Sequence, residues 1–213
     1  MAEIVLTGPE GRIEAKYHKS YKKDAPVALI LHPHPLHGGT MNNKVTYTTY
    51  QAFVQKGFNV LRFNFRGVGK SQGTFDNGEG ELSDAAAALD WLQSENRNAT
   101  SFWVSGFSFG AWIAMQLLMR RPEIEGFVAV SPPANMYDFH FLAPCPVSGL
   151  MVQGTSDDIV PIESVENLAR KLSNPKGVQV AFEKIEGADH FYTGKLSLLL
   201  NKITDYLDKN VQD

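Results

Sequence analysis

The chain has 213 residues, 43% of them hydrophobic and 20% charged, with a formal net charge of -3 and one cysteine. That length fits one large domain with a sizeable core. The weak acidic balance, without a basic block, argues against nucleic acid or an anionic membrane as partner, and a lone Cys145 cannot form an internal disulfide.

Two short strands, 3–7 and 12–17, flank Gly8-Pro9-Glu10-Gly11 and read as an antiparallel hairpin. The N-terminus lacks the charged flank and apolar core of a signal peptide, and no apolar run reaches the length of a membrane span, so a cytoplasmic protein is expected. Val27-Ala28-Leu29-Ile30-Leu31 reads as a strand buried on both faces, followed by the loop His32-Pro33-His34-Pro35-Leu36-His37-Gly38-Gly39-Thr40. Residues 43–56 carry threonines that disfavour a helix, yet a crossover is needed there and Lys56-Gly57 looks like a helix end. The spacing predicts a strand over 58–63, a glycine-rich loop over 64–80 and a helix over 81–94, with Leu82, Ala85, Leu89 and Leu92 on one face.

Ser101-Phe102-Trp103-Val104-Ser105 then reads as a buried strand that runs into Gly106-Phe107-Ser108-Phe109-Gly110 and an almost wholly apolar helix, 111–119. Strand, G-x-S-x-G and helix together are the context of a nucleophile elbow centred on Ser108. The turn exposes the hydroxyl above the sheet, the two glycines leave room against adjacent strands, and the helix N-terminus offers unpaired N–H groups. Further strands are predicted over 126–130, 147–153 and 178–185, with helices over 161–172 and 194–207. The connection 131–146 is too short for a cap domain. The alternation implies one α/β domain over 1–213: a mostly parallel sheet, antiparallel at its N-terminal strands, with helices on both faces.

A serine needs a base to remove its proton and a third group to orient that base. In such a site the acid and then the histidine follow the serine in the chain. Of the downstream histidines, His140 lies in an aromatic connection. His190, in the loop after the last predicted strand, stands at the sheet end where Ser108 emerges. The acid is expected in Gly154-Thr155-Ser156-Asp157-Asp158-Ile159-Val160, and spacing alone does not choose between Asp157 and Asp158. Two backbone N–H groups should hold the oxyanion. Phe109 supplies one. Pro33 and Pro35 have none, leaving His34 or Leu36 for the other, with His34 favoured by its place two residues past His32.

Two patterns mislead. His32, His34 and His37 have zinc-like spacing, but the position where a carboxylate ligand would sit is Leu36. Gly67-Val68-Gly69-Lys70-Ser71 resembles the end of a phosphate loop, but the required first glycine is Asn64 and a turn-forming run follows. Cys145 reads as a buried structural thiol, and Trp91, Trp103 and Trp112 as core residues.

The three motifs in order, His32 to Lys44 with its His-Pro-His-Pro and Gly-Gly-Thr-Met, Arg62 to Gly69, and the elbow, resemble a group of small, lidless bacterial α/β-hydrolases over nearly the whole chain. The resemblance implies ester-type hydrolysis by Ser108, His190 and Asp157, the last through Gly-x-x-Asp-x-x-Val as in Gly154, Asp157 and Val160; a carboxylic ester cleaved through an acyl-enzyme is expected, with a thioester or amide served by the same triad. It also implies an oxyanion hole at His34 and Phe109. Many relatives begin the second motif with aspartate; here it is Asn64, so Arg66 loses that ion pair. No cofactor or metal is implied, and the expected partner is a small-molecule substrate. A non-catalytic binding module on the same fold is the competing class, with a metallohydrolase or nucleotide hydrolase a distant third.

Overall fold

The β-branched and aromatic runs assemble into one sheet in the computed structural model, which describes residues 2–173 and 177–211. In chain order the elements are β1 (Ala2–Gly8), β2 (Gly11–His18), β3 (Val27–Leu31), α1 (Lys44–Gln55), β4 (Asn59–Phe63), α2 (Glu79–Glu95), β5 (Phe102–Phe107), α3 (Phe109–Arg120), β6 (Ile124–Val130), β7 (Gly149–Gly154), α4 (Ile162–Leu172), β8 (Val180–Ile185) and α5 (Leu196–Asn210). Among the described residues the sheet has 8 strands in the order β1-β2-β4-β3-β5-β6-β7-β8. β1, β2 and β4 pair antiparallel, and every pairing from β4 through β3 to β8 is parallel. The α/β expectation therefore holds, with the antiparallel hairpin at one edge. The expected domain, 1–213, extends slightly beyond the described termini.

Burial on both faces explains the unbroken apolar strands. In β3, Val27, Leu29 and Leu31 face a core built with α2, α3 and α4. Ala28 and Ile30 face a second core, built with α1 and α5. Removing each large side chain from water contributes roughly 1.5–3 kcal/mol, so neither face could be left uncovered.

The threonine-rich segment is a helix, and two of its hydroxyls bond back to the preceding turn while that of Thr46 is buried without a partner among the described residues. Thr48 Oγ1 donates to Lys44 O at 2.9 Å and Thr49 Oγ1 to Val45 O at 3.1 Å. Asn43 caps the start, its Oδ1 accepting the N–H groups of Val45 and Thr46. α2 starts earlier than expected, at Glu79, because the buried Glu81 carboxylate accepts from Gly78 N at 2.7 Å and Asp76 N at 3.0 Å. β7 starts later, at Gly149, and α5 runs on to Asn210. The tryptophans divide. Trp103 is buried, whereas Trp91 and Trp112 are half-buried; the Trp112 indole stacks on Tyr137 and donates to Asp138 O. Cys145 is buried, and burial raises its thiol pKa, opposed by a hydrogen bond to the Val147 carbonyl. No helix among the described residues is long and apolar enough to cross a membrane.

Candidate active site

Ser108 forms the corner between β5 and α3 with φ 54° and ψ -121°, a left-handed conformation that disfavours any side chain. Its backbone is held from both sides: Ser108 N donates to Val130 O at 2.9 Å, and Ser108 O accepts from Ala111 N at 2.8 Å. The two flanking glycines serve different neighbours. A Cβ on Gly110 would lie 2.4 Å from His32 O and 2.5 Å from Leu31 O, at the adjacent strand end as expected. One on Gly106 would instead meet the Gly110 carbonyl at 2.2 Å. That corrects the expectation for Gly106, which makes room for its own helix rather than for a strand.

The loops after β7 and β8 bring an acid and a base to this corner. His190 Nε2 lies 3.1 Å from Ser108 Oγ, and His190 Nδ1 lies 2.7 Å from Asp157 Oδ2. A carboxylate only accepts, so Nδ1 carries the imidazole proton and Nε2 is free to accept from the serine hydroxyl. Asp157 Oδ1 accepts from Ile159 N at 2.9 Å and Val160 N at 2.8 Å, and Oδ2 also accepts from Gln153 Nε2 at 2.9 Å. Burial alone would raise this carboxyl; the hydrogen bonds from His190, Val160 and Ile159, with the imidazole charge, outweigh it and hold the pKa below the ordinary value. Asp158 points into solvent. His140 pairs with Asp138 on the 131–146 connection, both side chains exposed, and takes no part.

The loop after β3 is fastened through His32. Its buried ring donates from Nδ1 to Pro33 O at 2.7 Å and accepts at Nε2 from Phe65 N at 3.0 Å, which fixes a neutral tautomer. With both nitrogens engaged, His32 cannot serve as a metal ligand, and no cluster of three His, Cys, Asp or Glu among the described residues could hold an ion. The His34 ring stacks on His37 and packs against Phe75 and Phe109. The His34 and Phe109 N–H groups donate no backbone hydrogen bond among the described residues, whereas Leu36 N is taken by His34 Nδ1. Two free donors thus follow the ends of the paired strands β3 and β5, one of them next to Ser108 in the chain.

Burial pushes the His32 pKa down to about 4, opposed by its bond to Pro33 O. An unfolded histidine titrates near 6.5. Between these values the unfolded chain takes up a proton that the folded chain refuses, so stability should fall as pH drops from 6.5 to 4, by on the order of 3 kcal/mol. His18 and His34, whose pKa values burial also lowers, act in the same direction. Chemical denaturation of the parent and of His32→Gln across this range checks the claim. The variant should be less stable at pH 7 and show a shallower acid slope; parallel slopes would refute it.

Asn64, where an aspartate was missed, has its own duties. Its Oδ1 accepts from Met41 N and its Nδ2 donates to Glu14 Oε2, both at 2.8 Å. Glu14 Oε2 also accepts from Lys70 N, so a carboxylate sits against the loop that mimics a phosphate cradle. Arg66 finds its acid elsewhere: Asp84 of α2 accepts from its Nε at 3.0 Å and its Nη2 at 2.8 Å. The ion pair that the sequence did not supply from position 64 is made, buried, from position 84.

A family model described as X-Pro dipeptidyl-peptidase (S15 family) matches residues 19–155, well over half of the chain. The chain belongs to this family of α/β hydrolases. An uncharacterized protein of Rickettsia prowazekii is 56% identical over 211 residues, covering 97% of this chain and 89% of that protein. The crystal structure of a putative α/β hydrolase from Agrobacterium tumefaciens superposes with TM-score 0.95 at 53% identity, covering 99% of this hydrolase and 96% of that chain. A Xanthomonas campestris α/β serine hydrolase without a lid superposes with TM-score 0.88 at 30% identity, covering 98% and 94%. The protein is accordingly an α/β hydrolase of the serine-hydrolase type.

Around Ser108 the hydrolase exposes large apolar side chains from four loops at one end of the sheet: Leu36, Met136, Ile159 and Phe191. Asn135 Nδ2 ties two of these loops together by donating to Ile159 O. Behind the rim the fully buried Tyr192 hydroxyl donates to Val152 O at 3.2 Å and meets Ser131 Oγ at 2.9 Å, joining the His190 loop to β7 and the end of β6. Tyr192 escapes a sequence reading because its partners lie in other elements, and Gln153 because its partners are fixed by how the loop after β7 turns. The one local hint is that Tyr192 stands two residues from His190.

Proposed function

We propose that this α/β hydrolase cleaves a carboxylic ester through an acyl-enzyme intermediate. Ser108 Oγ attacks the carbonyl as His190 Nε2 takes its proton. Asp157 Oδ2 holds the Nδ1–H and offsets the charge of the imidazolium. The tetrahedral oxyanion is held by the backbone N–H groups of Phe109 and His34. His190 then returns the proton to the departing alcohol, and water repeats the sequence to release the acid. The observation that carries this reading is the hydrogen-bonded line from Asp157 to His190 to Ser108, 2.7 and 3.1 Å, with the base in the accepting tautomer.

The apolar rim and the short connection after β6 favour an open site that takes soluble short-chain esters without interfacial activation. The peptidase description of the matching family favours a second reading, amide cleavage by the same groups. Turnover of a 4-nitrophenyl ester against the corresponding 4-nitroanilide separates the two, and a fluorophosphonate should modify Ser108. An ester rate far above the anilide rate, undiminished by EDTA, is the expected result. Modification confined to another serine, or a rate abolished by EDTA and restored by zinc, would overturn the proposal.

A further inference from the structure

Gln153, near the end of β7, is fully buried. Its amide nitrogen donates to Asp157 Oδ2 at 2.9 Å and to Val160 O at 2.7 Å. Its carbonyl Oε1 is buried with no hydrogen-bond partner among the described residues. Turning the amide over would set that oxygen against a carboxylate and a carbonyl, so the orientation is forced. A buried carbonyl left unpaired is destabilising, and a leucine of similar size would avoid it. The polar side chain is therefore retained for its donor end. That donor meets Asp157 on Oδ2, the oxygen facing His190, while the backbone of its own loop holds Oδ1.

We infer that Gln153 is a positioning residue for the His190–Asp157 pair: its amide pins the oxygen that receives the imidazole N–H and draws off part of its charge. The inference rests on the serine-hydrolase reading above. Without the amide, Oδ2 loses its second donor, and its undiluted charge holds the imidazolium more tightly. Rate at neutral pH should fall, and the acid limb of the rate profile should move to higher pH. The other titratable groups around the pair are Asp189, next to His190 in the chain, and the buried Tyr192 phenol behind Asp157. The substitution alters neither.

Gln153→Leu tests this on one activated ester and, without any assumption about substrate, by the rate of fluorophosphonate labelling against pH. The variant removes the unpaired Oε1 but leaves Val160 O without its donor, so it should stay folded with a melting temperature somewhat below the parent's. Its kcat should fall about tenfold or more with KM little changed, since small misplacements of a reacting group cost this much. Labelling should slow equally, with its acid limb displaced upward. Gln153→Glu, of the same shape, should keep one donor only while its new carboxyl stays protonated, so its remaining activity should shift toward acid, opposite to Leu. A folded Gln153→Leu protein with unchanged kcat and unchanged limb overturns the inference alone. A parent protein that is never labelled at Ser108 overturns the serine-hydrolase reading and the inference with it. Should Gln153→Leu not fold, an unshifted profile in Gln153→Glu is the overturning result.

Discussion

Ser108→Ala should leave a folded protein whose kcat is lower by about 10⁶, the cost of deleting the nucleophile in serine proteases, where the members of such a site act as a unit. The methyl group keeps the strained corner but offers no oxygen to attack or to accept a probe. Ser108→Gly should be equally inactive yet more stable. At φ 54° and ψ -121° a side chain is strained by about 1–3 kcal/mol. Glycine removes that strain and gives back part of the gain through the greater freedom of its unfolded chain, on the order of 0.5–1 kcal/mol. The expected net is a melting temperature a few degrees above that of Ser108→Ala. Calorimetry of the two variants beside an ester assay decides it: either variant with parental turnover removes Ser108 from the mechanism, and equal melting temperatures remove the strain.

Asp157→Asn should cost about 10⁴ in kcat, the size of the same replacement in serine proteases. The geometry says why. Oδ1 accepts two backbone N–H groups, from Ile159 and Val160, so the new amide must keep its oxygen there and turn its NH₂ toward His190 and Gln153. A donor then faces Nδ1, which must give up its proton, and the ring is driven to the tautomer with Nε2–H aimed at Ser108. That nitrogen can no longer accept. Asp158→Asn changes an exposed side chain and should alter kcat less than twofold, as surface substitutions usually do. Measuring both variants on one ester separates them; a crippled Asp158→Asn protein with an active Asp157→Asn partner would move the acid by one residue.

Those parts of the site that depend on short-range grammar were legible in the sequence. The elbow is a strand, a turn and a helix in one stretch, and the loop after β3 announces itself by which of its residues lack an N–H. That the sheet is mostly parallel also follows from alternation, since each buried apolar run needs a crossover before the next. What could not be read is whatever joins distant elements. Tyr192 meets Ser131 across 61 residues of chain, and even Gln153, only four residues from Asp157, reaches it through a turn that no residue pattern announces. Asp84 stands in for the aspartate absent at position 64 because α2 lies beside the loop that carries Arg66. The helix over the threonines was legible only from topology, because its propensity is poor until Thr48 and Thr49 satisfy their hydroxyls on the preceding turn. The start of α2 was obscured because Glu81, a residue type expected in solvent, is buried as an acceptor for two backbone N–H groups.

Leu31 pairs with Gly106 on the last rung of the ladder between β3 and β5. The free N–H groups of His34 and Phe109 follow just beyond that rung in the chain, one after each strand. Any fluctuation that drew them apart would have to unzip the ladder at the centre of the sheet, beneath helices on both faces, and openings there cost nearly as much as global unfolding. Enzymes that assemble their donors on a mobile segment can lose competence while the fold persists. Here the amides of Leu31 and Gly106 should exchange with solvent only when the whole domain opens, so a reaction that used these two donors would find them together for as long as the domain stays folded.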